Sequence, residues 1–245
     1  MHILLINPNT TTSITDLLLA EARKCAAPTT TLSAVTGRFG ARYIASRAAY
    51  AIAGHAALEA YAEHGAEADA VVLACFGDPA LMALRDIATR PVIGMAEASC
   101  RTAAGMGGRF SIVTGGERWR PMLEEFVALI GLSHCLASIE TVAPSGADIA
   151  REPDRALDLL VDACNVAVTR SHADTVILAG AGLAGLATRI AARVPVPLID
   201  SLAASIRMAE QVAVRPSAPP TRAASDRRPL VESIGLTEAL ARRLD

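Results

Sequence analysis

The residue of this chain best placed for proton-transfer or covalent chemistry is Cys75, which ends the apolar run Val71-Val72-Leu73-Ala74-Cys75 and precedes Phe76-Gly77-Asp78-Pro79. Asp78 reads as an N-cap and Pro79 as the first residue of a helix, so the thiol is expected beside unpaired amides at the positive end of a helix dipole. That setting favours a thiolate. The plain alternative is a small apolar residue closing a strand. Cys25, Cys100, Cys135 and Cys164 fall inside or beside Ala-rich helices and strands, and read as compact hydrophobes. Five scattered cysteines, an odd number, argue for free thiols rather than a disulfide framework.

Three other apolar runs stop at residues with chemical possibilities. In Asn7-Pro8-Asn9-Thr10 the Asn7 amide can donate to a ligand carbonyl or carboxylate, while Thr10 to Thr12 read as the cap of a following helix. Thr114-Gly115-Gly116 reads either as backbone amides left free before a helix, suited to an anion or oxyanion, or as a plain turn. Gly180-Ala181-Gly182 opens a G-x-G-x-x-G pattern ending at Gly185, with Asp200 twenty positions after Gly180. A dinucleotide site normally has this motif after its first strand, whereas here it follows the third of its half, so neither nicotinamide nor flavin is expected. Glu97 and Asp200 stand past the fourth strand of each half, where they can orient site groups or cap helices. Cys75, Phe76, Gly77, Asn7, Thr114, Gly115 and the turn of Gly180, Ala181 and Gly182 form the expected ligand surround. The five histidines show no ligand spacing with Cys or carboxylates, so no metal is expected. A G-x-S-x-G elbow is absent.

The elements that must position these residues alternate. Strands are predicted at Ile3–Ile6, Thr30–Val35, Ala70–Cys75 and Pro91–Gly94, with helices at Thr12–Cys25, Ala48–His64, a short stretch after Pro79, and Glu97–Met106. The cycle restarts with strands Arg109–Thr114, Cys135–Thr141, Asp174–Ala179 and Val196–Ile199, and helices Arg118–Ile130, Glu152–Ser171, Leu183–Ala192 and Leu202–Val212. Such alternation implies parallel sheets. Val71-Val72-Leu73-Ala74-Cys75 matches Val176-Ile177-Leu178-Ala179-Gly180 at an offset of 105, and two flanking segments agree at 106 and 107. The chain therefore reads as a duplicated α/β protein with two similar units, a ligand site lying between them beyond the carboxyl ends of the strands. The first unit is assigned residues 1–97 with 210–245, the second 98–209. Arg215–Pro229 reads as an extended connector to a last helix near Leu236–Leu244 that packs on the first unit.

Composition excludes other classes. A net charge of −2 with four Phe, three Tyr and one Trp offers neither the field nor the stacking platforms of a nucleic-acid binder. The apolar runs are too short for a membrane span. Met1–Asn7 lacks a basic n-region, so a cytoplasmic protein is expected.

The segments Ile6-Asn7-Pro8-Asn9-Thr10-Thr11, Ala74-Cys75-Phe76-Gly77-Asp78-Pro79, Gly94-Met95-Ala96-Glu97-Ala98, Arg109-Phe110-Ser111-Ile112-Val113-Thr114 and Pro197-Leu198-Ile199-Asp200, in this order, resemble the motifs of the aspartate/glutamate racemase superfamily. Within it the chain is most similar to the hydantoin and allantoin racemases. The resemblance implies two α/β domains related by pseudo-twofold symmetry, no metal or organic cofactor, a small-molecule substrate, a possible homo-oligomer, and two cysteines on opposite faces of the substrate carbon. Cys75 matches the first cysteine. The second falls on Gly180, which carries no proton to deliver. A racemase-family enzyme with Cys75 as base and acid is the main expectation. A single-cysteine decarboxylase like the arylmalonate decarboxylases, or a non-catalytic binder, is the alternative.

Overall fold

The computed structural model describes residues 1–214 and 233–244. The connector expected at Arg215–Pro229 lies outside them. The first unit contains β1 (His2–Asn7), α1 (Thr12–Cys25), β2 (Thr31–Thr36), α2 (Arg47–His64), β3 (Ala70–Leu73), α3 (Leu81–Ile87), β4 (Val92–Gly94) and α4 (Met95–Gly105). The second contains β5 (Phe110–Gly115), α5 (Trp119–Leu129), β6 (Leu136–Val142), α6 (Gly146–Arg151), α7 (Pro153–Ser171), β7 (Thr175–Ala179), α8 (Leu186–Ile190), β8 (Leu198–Asp200) and α9 (Ser201–Val214). A last helix, α10, spans Glu238–Leu244.

Two parallel four-stranded sheets result, ordered β2-β1-β3-β4 and β6-β5-β7-β8. The orders are the same, as the duplication requires. Their central strands are buried on both faces, which is why β1, β3, β5 and β7 read as nearly continuous apolar runs. Helix periodicity supplies the covering layers: Ile14, Leu18 and Ala22 form one buried stripe on α1. Ser46 caps α2 by accepting from the Ala49 amide at 3.1 Å, and Pro153 opens α7 where a missing N–H costs nothing.

Helix exchange joins the units. α4 follows the first sheet in sequence yet packs against β7 of the second, while α9 follows the second sheet and lies on β3 and β4 of the first. The two helices also pack on one another. A single apolar core accordingly runs from Ile3 and Leu5 through Ala98 and Ile206 to Ile112 and Ile177. The outer faces of the sheets have separate cores, that of the first closed by Leu240 of α10. The sequence-based divisions at 98 and 210 both fall inside helices, α4 and α9, because each of these helices serves the opposite sheet. The helix expected over Leu183–Ala192 is instead a 3-10 turn at Ala181–Leu183, the short α8, and a second 3-10 turn at Ala191–Arg193. Gly185, with φ +81, breaks the run. α6, which its Ser145/Asp148 capping box starts, lies between the strand predicted at Cys135–Thr141 and the helix predicted at Glu152–Ser171.

Candidate active site

In both sheets the chain order reverses between the two central strands, and a crevice opens at such a switch point beyond the strand ends. Residues at or just beyond the ends of β1, β3, β5 and β7 converge there around a cavity of about 60 Å³, several times the ~10–15 Å³ that one water needs. Cys75 and Gly180, at matching positions past β3 and β7, both line it. So do Phe76, Thr114, Gly115, Ala181 and Gly182. Asn7 and Gly77 of the expected surround do not.

Asn7 is buried and its amide is spent inside the first unit. Its Nδ2 donates to Asn9 Oδ1, Thr11 O and Thr15 Oγ1 at 3.0, 3.3 and 2.9 Å, and its Oδ1 accepts from the Asn9 amide. Asn7 thus shapes the turn that brings Asn9 to the cavity. Asn9 Oδ1 also accepts from the Thr11 amide, and Asn9 Nδ2 has no partner among the described residues. Gly77 works from outside: at φ +116, a Cβ there would stand 2.9 Å from the Trp119 ring, so glycine lets the indole of the second unit close over the first. The Tyr50 hydroxyl donates to the Gly77 carbonyl at 2.6 Å and fixes the turn after the thiol.

The expected cap after Cys75 is not formed as expected. α3 begins at Leu81, and Asp78 and Ala80 both have left-handed φ, +54 and +59. This reversal turns the Asp78 carboxylate away from α3 and onto the start of α4, where it accepts from the Ala96 and Glu97 amides at 2.9 and 2.7 Å. Burial raises Asp78 to about 7, against the pull of those two amides. The same burial, with Asp78 beside it, pushes the Cys75 thiol well above its ordinary range. With α3 starting only at Leu81, Cys75 lacks the helix N-terminus expected beside it, and its burial favours the neutral thiol over the thiolate. The other four cysteines do not line the cavity.

On the second unit, the Thr114 hydroxyl donates to the Ala179 carbonyl at 2.9 Å and ties β5 to β7. The Gly116 amide, expected to be free, donates to Val142 O at 2.9 Å. Gly180 lies at φ +121 and ψ 147, with its amide 3.3 Å from Ser201 Oγ. Ala181 and Gly182 open the 3-10 turn, where the first N–H groups have no partner within the turn. Asp200 accepts from the Gly185, Leu202 and Ala203 amides, so it caps α9 and anchors the Gly180–Gly185 loop. A carboxylate so occupied is not positioned for a ribose. Glu97 bonds Arg85 and Arg101 at 2.6 and 2.7 Å, away from the cavity. Burial works to raise it, but the two arginines hold it below the usual carboxylate range.

Sequence reasoning missed Arg42, Tyr43 and Trp119, all in the lining. A usable signal existed: in a chain with eight aromatics, Tyr43, Phe76 and Trp119 all meet here. Tyr43 also bridges the units, donating to Gly115 O at 3.1 Å and accepting from the Gly146 amide at 3.4 Å.

A family profile described as Asp/Glu/hydantoin racemase matches residues 3–209. A hydantoin racemase of Paenarthrobacter aurescens is 34% identical over 214 residues, covering 86% of this chain and 91% of its own. The crystal structure of an allantoin racemase from Pseudomonas fluorescens aligns with a TM-score of 0.83 at 30% identity, over 86% of this chain and 90% of that one. A solved arylmalonate decarboxylase shares the fold at a TM-score of 0.63 and 19% identity, over 89% of this chain and 94% of that one. With matched strand orders in two parallel sheets, a thiol at the end of β3 and the profile spanning both units, the chain belongs to the Asp/Glu/hydantoin racemase family.

Proposed function

We propose that the protein catalyses cofactor-independent proton transfer at the carbon α to a carbonyl of a hydantoin or allantoin ring, with Cys75 as acid and base on one face. The observation carrying this reading is that Cys75 is the one cysteine of five in the lining, at the strand-end position that Gly180 occupies in the other unit. Phe76, Trp119 and Tyr43 supply flat apolar walls for a planar ring. Charge developing on the ring oxygen needs donors held in place beforehand. Asn9 Nδ2 and the amides of Ala181 and Gly182 are donors without a partner among the described residues.

Cys75 first releases its thiol proton to solvent; the thiolate then takes the α-proton and leaves the charge on the ring enolate, and the thiol so formed exchanges its proton with solvent and returns one to the same face of the carbon, restoring thiolate and substrate. With glycine opposite, no side chain at 180 completes inversion, so exchange on one face is the expected outcome. Single-enantiomer 5-substituted hydantoins and allantoin in D2O should gain deuterium while keeping optical purity. Cys75→Ser should lose about 100-fold or more of that rate. Uptake by Cys75→Ser equal to that of the unaltered protein would overturn the assignment.

A second reading is decarboxylation of a malonate-type acid. It is favoured by the lone thiol of the lining facing Gly180, since protonating an enediolate from one side needs an acid on that side alone. Carbon dioxide release from an arylmalonate without exchange on any hydantoin would select it.

A further inference from the structure

Arg42 has no part in the chemistry above, yet among the described residues it is the sole charged one in the cavity lining. It comes from the segment between β2 and α2, and its main chain is fixed there. Thr11 Oγ1 donates to Arg42 O at 2.8 Å, the Thr10 amide donates to Ala41 O at 3.2 Å, and adjacent Tyr43 is tied to Gly115 across the unit junction. The guanidinium itself is uncommitted. Arg38 on the same segment and Arg47 at the start of α2 each pair with a glutamate, Glu63 and Glu125, whereas Arg42 has no acidic partner among the described residues. The hydroxyls of Thr114 and Tyr43 are already donated to backbone carbonyls. The lining therefore holds one fork of charged N–H donors, on a fixed backbone, with no acceptor for it among the described residues.

We propose that Arg42 is an anion-recognition group selecting substrates whose ring substituent ends in a carboxylate. The inference rests on the reading of the cavity as a hydantoin-type site. Arg42 is exposed, so its preference is modest and screened by salt. A charged and a neutral ligand of the same shape isolate it: hydantoin-5-acetic acid and its primary amide.

Binding of each is measured by calorimetry and by the fluorescence of Trp119, the chain's single tryptophan, which lines the cavity. The acid is expected to bind about fivefold tighter than the amide at low salt. That ratio should fall to about one in Arg42→Gln and with added salt, and be partly kept in Arg42→Lys, which holds the charge without the fork. Equal affinities in the unaltered protein, or a preference that Arg42→Gln retains, would overturn the assignment to Arg42 and leave the hydantoin reading standing. Binding of neither ligand by either method would overturn both.

Discussion

At the residue scale, Asp78 beside Cys75 and Gly180 opposite it bear most directly on what the thiol can do. Asp78 is buried with its carboxyl raised to about 7, above its unfolded value near 4, so the folded protein holds the proton more tightly. Its contribution to stability is full below about pH 4 and is lost as the pH rises through about 7. Urea unfolding at pH 5 and pH 8 should differ by roughly 1–3 kcal/mol from this source, and Asp78→Asn should remove that difference. An unchanged slope in the variant would show that Asp78 is already ionised when folded. Glu97 acts at the acid end, its stabilising pairs being lost only as the pH falls below the carboxylate range. At Gly180, space is not the obstacle to a second thiol, since a Cβ would meet Leu183 and Thr114 at an ordinary 3.7 Å. The backbone is: φ +121 with ψ 147 is essentially a glycine conformation. Gly180→Cys and Gly180→Ala should each cost about 1–3 kcal/mol in urea unfolding, and an Ala variant as stable as its parent would remove the strain argument. Cys75 and Gly180 were legible because a strand end is visible as the end of an apolar run. Asn7 against Asn9 was not, because which of two amides faces inward depends on Thr11 and Thr15 across the turn.

Among elements, the short ones bear most directly on the cavity. α6 brings Gly146 and Ala147 into the lining and is started by Ser145, whose side chain accepts from the Asp148 amide at 3.2 Å. Ser145→Ala should cost about 1 kcal/mol and weaken ligand binding through the Tyr43–Gly146 contact, measured by thermal unfolding and by Trp119 fluorescence titration. α10 is remote from the cavity. Leu240 is 2% exposed against α2, with Thr237 bonded to Glu59 beside it. Leu240→Ala should cost about 2–4 kcal/mol while deuterium exchange on substrate stays within twofold, which separates support of the fold from support of the site. Long helices such as α1 and α2 were legible to within a residue or two from their apolar spacing. The stretch from 181 to 193 was not, since Ala and Leu at helical intervals say nothing of the left-handed turn that Gly185 makes once its amide is held by Asp200.

For the whole molecule, the duplication was open to reading because both halves keep the same strand order and nearly the same spacing. The exchange of α4 and α9 was not: a helix that follows its own strand reads identically whichever sheet it covers. With the inner core continuous across both units, urea unfolding should be one transition, with Trp119 fluorescence and far-UV ellipticity changing together. Two separated transitions would mean that the units are independent. The same exchange sets a timetable for synthesis. Ser201 stands more than a hundred residues beyond Gly94, so β3 and β4 are made long before the helix that covers them. A nascent chain on the ribosome therefore carries an unfinished first half with a bare apolar face until Val214 has emerged. Stalled or truncated chains ending inside α8 should be claimed by chaperones or proteases, whereas chains extended through α9 should become protease-resistant.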